Sequence, residues 1–486
     1  MDASRTPVIV GVGQVNDRED QLNAVELMAA ALRNADADAG GGWLTQIDAL
    51  DVVAQLSFPE FADASAPLSQ VLEIAPRHCA QTRYPMGDSP VTLLEAAASR
   101  IAAGEATICA VAGGEALRTA AKRAGKRDAV RDAATLATRA TRPGRERYGI
   151  VAPTDVYPLY ENACRAAWGQ SLAEAQAESA ALWAGLSQVA AQSEGAWLRE
   201  PRTAEDILTV TPDNRLIAFP YTKLMVANAS VNQGAAFIVT SLAKAKQMGV
   251  SEARLVYIGS GAAGREPGDV FARETLHHSP SLDWTLQTAL ARNGIASSDL
   301  DHVELYSCFP CVPKLARRAI DWPLDKPISV FGGLTFGGGP VGNYMSHAIA
   351  AMTETLRARG GSGLLFGNGG LATTSCAIVI SRNPAIAAER DASATYDDSS
   401  RTRIALLETY EGEASIETYT VFYAREGAPR VGVIVARTPS GERVLVRVQA
   451  DETEILALLT SGETEPVGAA GFARVDADGL VRWRHA

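Results

Sequence analysis

Apolar and polar positions along this chain follow two periods, and one stretch of the pattern returns about 250 residues later. Ser89-Pro90-Val91 opens a run with Leu93, Leu94, Ala96, Ala97, Ala98 and Ile101, spaced as the buried face of a helix, and Gly104 closes it. An apolar strand over 106–111 follows, then Gly113-Gly114. In the second copy Gly339-Pro340-Val341 opens a helix carrying His347, Ala348, Ile349 and Ala350. Gly360-Gly361 closes it, a strand over 364–366 follows, then Gly369-Gly370. The offset from Pro90 to Pro340 is 250. Strands over 8–13 and 47–53 likewise return over 255–261 and 301–306. A duplication at this scale exceeds any solenoid period and predicts two α/β halves facing each other, with a site between them.

The remaining pattern divides the chain. Residues 8–116 read as alternating strands and helices, which implies a largely parallel sheet. Residues 117–223 form an insertion of helices and polar turns, and α/β order resumes over 224–383. The polar stretch 384–402 reads as a weakly structured linker. Beyond it the period becomes 2, with turns at Glu426-Gly427, Ser440-Gly441 and Asp478-Gly479. The expected domains are 1–116 with 224–245 as the N-terminal half, 117–223 as a loop domain, 246–383 as the C-terminal half, and 403–486 as a small all-β barrel of five or six strands.

Composition narrows the classes. A chain of 486 residues, 47% hydrophobic, can bury a large core. Its net charge of −11 disfavours a general role in nucleic-acid binding. Six cysteines are too few for a disulfide framework. No run approaches the ~18 apolar residues of a membrane span, and Met1 to Pro7 shows no basic-then-apolar signal, so a cytoplasmic protein is expected. Against this acidic background, 118–147 holds ten basic and three acidic residues. Neither Gly11-Val12-Gly13 nor Gly259-Ser260-Gly261 completes a dinucleotide loop.

The order of these segments resembles the thiolase superfamily, and within it the sterol-carrier-type thiolases and their thiolase-like relatives. The likeness is carried by Ile101-Ala102-Ala103-Gly104-Glu105-Ala106, by Ala112-Gly113-Gly114-Glu115 and by Gln233-Gly234-Ala235-Ala236, and it covers residues 5–383. The tail resembles the extra domain of mycobacterial-type thiolase-like proteins. The resemblance implies a duplicated fold of two βαβαβαββ halves in five layers, with an OB-like C-terminal domain. It implies an acetyl-CoA acetyltransferase-like protein of lipid metabolism, with a coenzyme A thioester as substrate or ligand and no covalent cofactor.

Working thiolases share four motifs, C-x-S, N-E-A-F or H-D-C-F, G-H-P and C-x-G. Their chemistry needs a thiolate to take the acyl group, a histidine to activate it and a second thiol to move the α-proton. Matched to this chain, the nucleophile position falls on Gly87, the histidine on Gly339 and the second cysteine on Gly367. The N-E-A-F position falls on Tyr306-Ser307-Cys308-Phe309. Three reactive side chains are replaced by hydrogen, so ordinary thiolase activity is not expected.

Ser89 and Asn368 beside these glycines remain candidate substrate contacts, as do free N–H groups at helix starts near Pro90 and Pro340. Tyr306, Tyr344 and His347 are candidate catalytic groups. The segment 342–347 is similar to one in thiolase-like retro-aldolases, where tyrosines serve as acid and base and a partner protein is usual. The alternatives are pocket-wall aromatics with satisfied hydroxyls and a core histidine. Cys308-Phe309-Pro310-Cys311 has the form of a redox site, although the H-D-C-F motif accounts for Cys308 by itself. No further ligands accompany it, so no metal site is expected. Arg118, Lys122, Arg123, Lys126 and Arg127 suit the phosphates of coenzyme A or, alternatively, a solvated helix face. Asn214, Arg215, Tyr221 and Lys223 are weaker pocket candidates. The expected partners are an acyl-CoA and, through the β domain, a second copy or another protein. The readings left open are a thiolase-like acyl-CoA binder, a retro-aldolase on a β-hydroxyacyl-CoA, and a non-catalytic assembly protein.

Overall fold

The computed structural model describes residues 2–125, 144–387, 390, 393–401 and 403–485. Its main feature is a ten-stranded sheet with an internal repeat. From one edge the strands are His78–Gln81, Ala49–Val52, Ile108–Ala116, Asn232–Ser241 and Pro7–Asn16. They continue with Val256–Arg265, Thr374–Ser381, Ser362–Gly369 and His302–Leu305. Counted outward from the centre, each half runs through its first strand, its last long strand, the strand after the duplicated helix, and the second strand. The halves meet where Val8 pairs with Tyr257 and Ile9 with Val256, both antiparallel.

Helices cover both faces, so the central strands are buried along nearly their whole length rather than alternately, and Asn232–Ser241 runs antiparallel between two strands of its half. Helix Ala24–Asp38 starts from a capping box of Asn23 and Glu26 and lies on Pro7–Asn16. Added Cβ atoms on Gly11 and Gly13 would reach within 2.1 Å of Ala35 O and 2.2 Å of Ala31 O. These glycines let helix and strand touch, so their close spacing reflects packing rather than a phosphate loop.

The duplicated helices Ser89–Ala103 and Tyr344–Arg359 touch each other and strands of both halves, forming the middle layer. The first starts and stops as its pattern predicts, with Gly104 closing it at φ 74°. The second begins at Tyr344, later than the expected start near Pro340. Gly338 and Gly342, at φ 106° and 75°, hold the preceding residues in turns that no helix accommodates.

Two expectations change in detail. Within the expected linker, Ala394–Asp397 forms a strand parallel to Val256–Arg265. It takes up free backbone groups of that strand, and Tyr396 packs on Trp284 at 5.8 Å. The C-terminal sheet contains six strands of the tail, and the insertion adds Leu216–Ala218 and Tyr221–Thr222 through an Ala218–Phe422 pairing. This sheet has its own core, including Ile416, Tyr419, Val446 and Trp483. It is tied to the body by buried polar groups. Asn162 donates to Tyr419 O at 2.9 Å, Arg443 to Phe271 O at 2.7 Å, and Arg165 pairs with Glu465. No helix among the described residues is long and apolar enough to cross a membrane.

Candidate active site

The three motif glycines lie where chain segments press together. At Gly87 a Cβ would sit 2.3 Å from both the Tyr306 hydroxyl and the Asn368 carbonyl oxygen. At Gly367 it would sit 2.8 Å from Asp88 Cα. At Gly339 it would meet Asn228 O at 3.2 Å and Leu334 O at 3.3 Å, and the Gly339 N–H already donates to Asn228 O at 2.8 Å. The start of the first helix is thus packed on the hairpin at 367–370, and Tyr306 fills the space a side chain at 87 would need.

Tyr306 ends the strand His302–Leu305 and is anchored by its N–H on Phe366 O at 3.1 Å. Among the described residues no hydrogen bond to its hydroxyl contributes to its electrostatics. Burial raises its pKa, with Cys308 and Asp88 adding to the shift. Tyr344 meets it edge-on at 6.0 Å between ring centroids. The Tyr344 hydroxyl donates to Glu304 Oε1 at 2.7 Å, and burial raises this phenol as well.

His347 is one turn further along that helix and wholly buried. Its Nδ1 pairs with Gln14 Oε1 at 2.8 Å and its ring stacks on Phe331 at 5.3 Å. Nε2 is buried without a partner, and burial lowers the pKa to about 3, so the ring is neutral. Phe331 also contacts Tyr344, which joins the histidine to the tyrosine pair.

Cys308 and Cys311 are buried, and burial pushes the first up to about 12 and the second well above its ordinary value. A redox dithiol needs the opposite shift. Ser89 is mostly buried, and its Oγ accepts the Met86 N–H at 3.1 Å. Asn368 donates to the Tyr157 hydroxyl at 3.2 Å. That hydroxyl also accepts from Ala372 N at 3.1 Å, and the ring stacks on Phe309 at 4.5 Å.

The basic stretch lies against the 17–21 segment. Arg118 pairs with Asp20 at 2.8 Å, while Lys122 and Arg123 donate to the carbonyls of Glu19 at 3.0 Å and Gln21 at 2.7 Å. Lys126 and Arg127 lie outside the described residues. Asn214 and Tyr221 are committed internally, to Thr209 O at 2.9 Å and Glu161 at 2.8 Å. No group of three His, Cys, Asp or Glu among the described residues could hold a metal.

Three members of the cluster escape motif reading. Tyr157 clamps the 368–372 hairpin from the insertion, and only its helical spacing to Tyr160 marks it in the sequence. Asp88 sits between two motif positions, and burial raises its pKa. Glu304 lies two residues before Tyr306. A groove of about 1340 Å³, lined in part by Gln14, Asn16, Ser329 and Val330, does not open at the glycine positions but approaches the cluster from the side of Gln14 and Ser329.

The mirrored sheet with two helices in its middle layer defines a thiolase-fold protein. Human mitochondrial 3-ketoacyl-CoA thiolase in complex with CoA matches over 78% of this chain and 98% of its own, with TM-score 0.59 and 15% identity. The Ltp2-ChsH2(DUF35) aldolase matches over 78% and 98%, with TM-score 0.58 and 19% identity. At these identities the likeness is one of fold. The chain belongs to the SCP2-thiolase-like protein type 1 family: the monomeric protein of that description from Mycobacterium smegmatis matches over 100% of both chains, with TM-score 0.83 and 30% identity. Residues 398–479 match the thiolase-like protein type 1 additional C-terminal domain. No curated protein matches the chain.

Proposed function

We propose that this protein binds an acyl-CoA thioester between its two halves and does not run thiolysis or Claisen condensation. The observation that carries this reading is the 2.3 Å separation between a Cβ at Gly87 and the Tyr306 hydroxyl. A nucleophile at 87 and the phenol of Tyr306 exclude each other, and among the described residues no thiol or imidazole replaces it. Cys308 is held as a thiol and His347 as a neutral ring bonded to Gln14. Lys122 and Arg123 bond to carbonyls rather than carboxylates, although Lys122 lies in the field of Asp20, and their charge supports attraction of CoA phosphates. A CoA complex of a protein with this fold adds support. The reading includes a cytoplasmic location and no covalent cofactor. It leaves the outward face of the β domain, where Phe472 is 44% exposed, for a second copy or a partner protein.

A second reading, retro-aldol cleavage of a β-hydroxyacyl-CoA, is favoured by the Tyr306 hydroxyl standing in the nucleophile's space. That reaction needs proton transfer and enolate stabilisation but no thiolate. Product analysis with panels of 3-ketoacyl-CoA, acyl-CoA and β-hydroxyacyl-CoA tests both readings. Thiolytic cleavage would overturn the first. Cleavage of a β-hydroxyacyl-CoA that Tyr306→Phe abolishes would establish the second. CoA affinity without turnover on any panel member would mark a binding or assembly protein.

A further inference from the structure

Tyr306 and Tyr344 are both held as neutral phenols by burial. A neutral phenol acts as a base only if its own proton leaves as the new one arrives. The cluster therefore needs a proton acceptor bonded to one of these hydroxyls. Glu304 meets that need. It precedes Tyr306 by two residues, so strand alternation puts both side chains on one face, and both meet Tyr344.

The Glu304 carboxyl is wholly buried and forms no ion pair among the described residues. Oε1 accepts the Tyr344 hydroxyl at 2.7 Å. Oε2 accepts Ser329 Oγ at 2.8 Å and Val330 N at 3.0 Å. Ser329 Oγ itself accepts from Phe331 N at 3.0 Å and Gly332 N at 2.8 Å, which aims its one proton at Glu304. Ser329 and Val330 line the open groove. The carboxyl thus stands between a tyrosine of the cluster and a route to solvent.

We propose, resting on the retro-aldol reading, that Glu304 is the proton reservoir of Tyr344. Tyr344 Oη takes the β-hydroxyl proton of the substrate while its own proton passes to Glu304 Oε1. The Cα–Cβ bond breaks, its electron pair forms the thioester enolate, and the β-carbon leaves as a carbonyl product. The Tyr306 hydroxyl protonates Cα. The proton held on Glu304 then returns through Tyr344 to the Tyr306 phenolate, so no proton is gained or lost over the cycle. The hydrogen bonds suit both states of the carboxyl. Ionised, it accepts from three donors; protonated, it turns one bond around and donates to Tyr344 Oη, which has a lone pair free.

The surroundings isolate this exchange. The helix Tyr344–Arg359 brings Tyr344 to the carboxyl, while its buried His347 is neutral and bonded to Gln14. The strand Ser362–Gly369 and residues 328–332 carry no titratable side chain. The helix Cys311–Ala319 packs on the Glu304 strand. Its Lys314 is paired with Glu161, and its Arg317 and Arg318 with Glu178. Burial pushes the Glu304 pKa up to about 7, against donors that lower it.

The test uses the full chain and the variants Glu304→Gln, Glu304→Asp and Tyr344→Phe. Infrared difference spectra between about pH 5 and about pH 9 read the exchange without any substrate. A protonated-carboxyl band that fades as pH rises, with a coupled tyrosine C–O shift, is expected in the parent. Glu304→Gln should remove the tyrosine shift and the carboxyl component coupled to it, leaving any band from the buried Asp88 and Glu115, and Tyr344→Phe should remove the tyrosine shift. On the β-hydroxyacyl-CoA panel, parent kcat/KM should rise with pH through the Glu304 range. Glu304→Gln should be lower by about a hundredfold and flat with pH, with partial rescue in Glu304→Asp. A tyrosine-coupled carboxyl band unchanged in Glu304→Gln, or a parental pH profile in that variant, overturns the proposal. Intact infrared coupling with no parent turnover overturns the retro-aldol reading instead, and leaves the Glu304–Tyr344 exchange supported.

Discussion

Helix Ser89–Ala103 and helix Tyr344–Arg359 hold equivalent places between the two halves of the sheet, yet their first turns are chemically unlike. The first starts directly at its motif and contributes mainly backbone and Ser89, whose hydroxyl is satisfied by Met86 N. The second starts after a glycine turn and brings Tyr344 and His347 into the interior, with Asn343 and Ser346 beside them. The Asn343 amide, Ser346 Oγ and His347 Nε2 are all buried without partners. The two helices share a backbone arrangement, while the second turns more polar side chains into the interior. His347 and Glu304 make the second half sensitive to pH, and close backbone packing at Gly87 adds a sensitivity to volume in the first, beside its own buried Asp88.

The largest effect expected from this difference is acid destabilisation through His347. Its folded pKa is depressed from 6.5 to about 3, so its contribution is full above 6.5 and lost as pH falls through that window. The swing is roughly 5 kcal/mol. Chemical denaturation at several pH values should show the parent losing this increment relative to His347→Gln; parallel curves would remove the second helix from the comparison.

Glu304 should act in the opposite sense. Its folded pKa is raised from 4.5 to about 7, so its contribution is full below 4.5 and lost as pH climbs through 7. Relative to the parent, Glu304→Gln should gain about 3 kcal/mol between pH 4.5 and pH 8. A constant difference across that range would contradict the buried, unpaired carboxyl.

The first helix is probed by volume. Gly87→Cys should cost about 2 kcal/mol, and Tyr306→Ala in the same chain should recover part of it, as a double-mutant cycle would read. Gly87→Cys at parental stability, with thiolytic turnover, would show that the space at 87 is open after all. The smallest effect belongs to Lys122→Ala and Arg123→Ala. Each should shift stability by less than about 0.5 kcal/mol while weakening CoA binding in calorimetry; unchanged affinity would detach the basic stretch from the ligand.

Much of the fold was legible because it rests on period and punctuation. The strand and helix around 89–111 follow from apolar spacing and Gly104, and the second copy confirms them by repetition. The late start at Tyr344 was not legible, because Pro340 looks like a helix opener until the glycine φ angles around it are known. The strand Ala394–Asp397 was hidden in a polar stretch, since an unpaired neighbouring edge, rather than its own apolarity, holds it. At the site, the sequence marked Gly87, Gly339, Gly367, Tyr306 and Tyr344 as candidates, and the fold brings Gly87, Tyr306 and Tyr344 together. Tyr157 and Glu304 belong to no motif, and their partners lie 211 and 40 residues away in the chain.

The sequence alone determined the two mirrored halves, the added β domain and the glycines at 87, 339 and 367, because apolar period and residue identity are local properties of the chain. Tertiary structure alone decided that Tyr306 occupies the emptied space at Gly87 and that Glu304 is bonded to Tyr344 without a counter-ion. Those facts depend on which distant segments share a few ångströms and how much water they exclude, and hydrogen-bond partnership and proton affinity follow from that proximity.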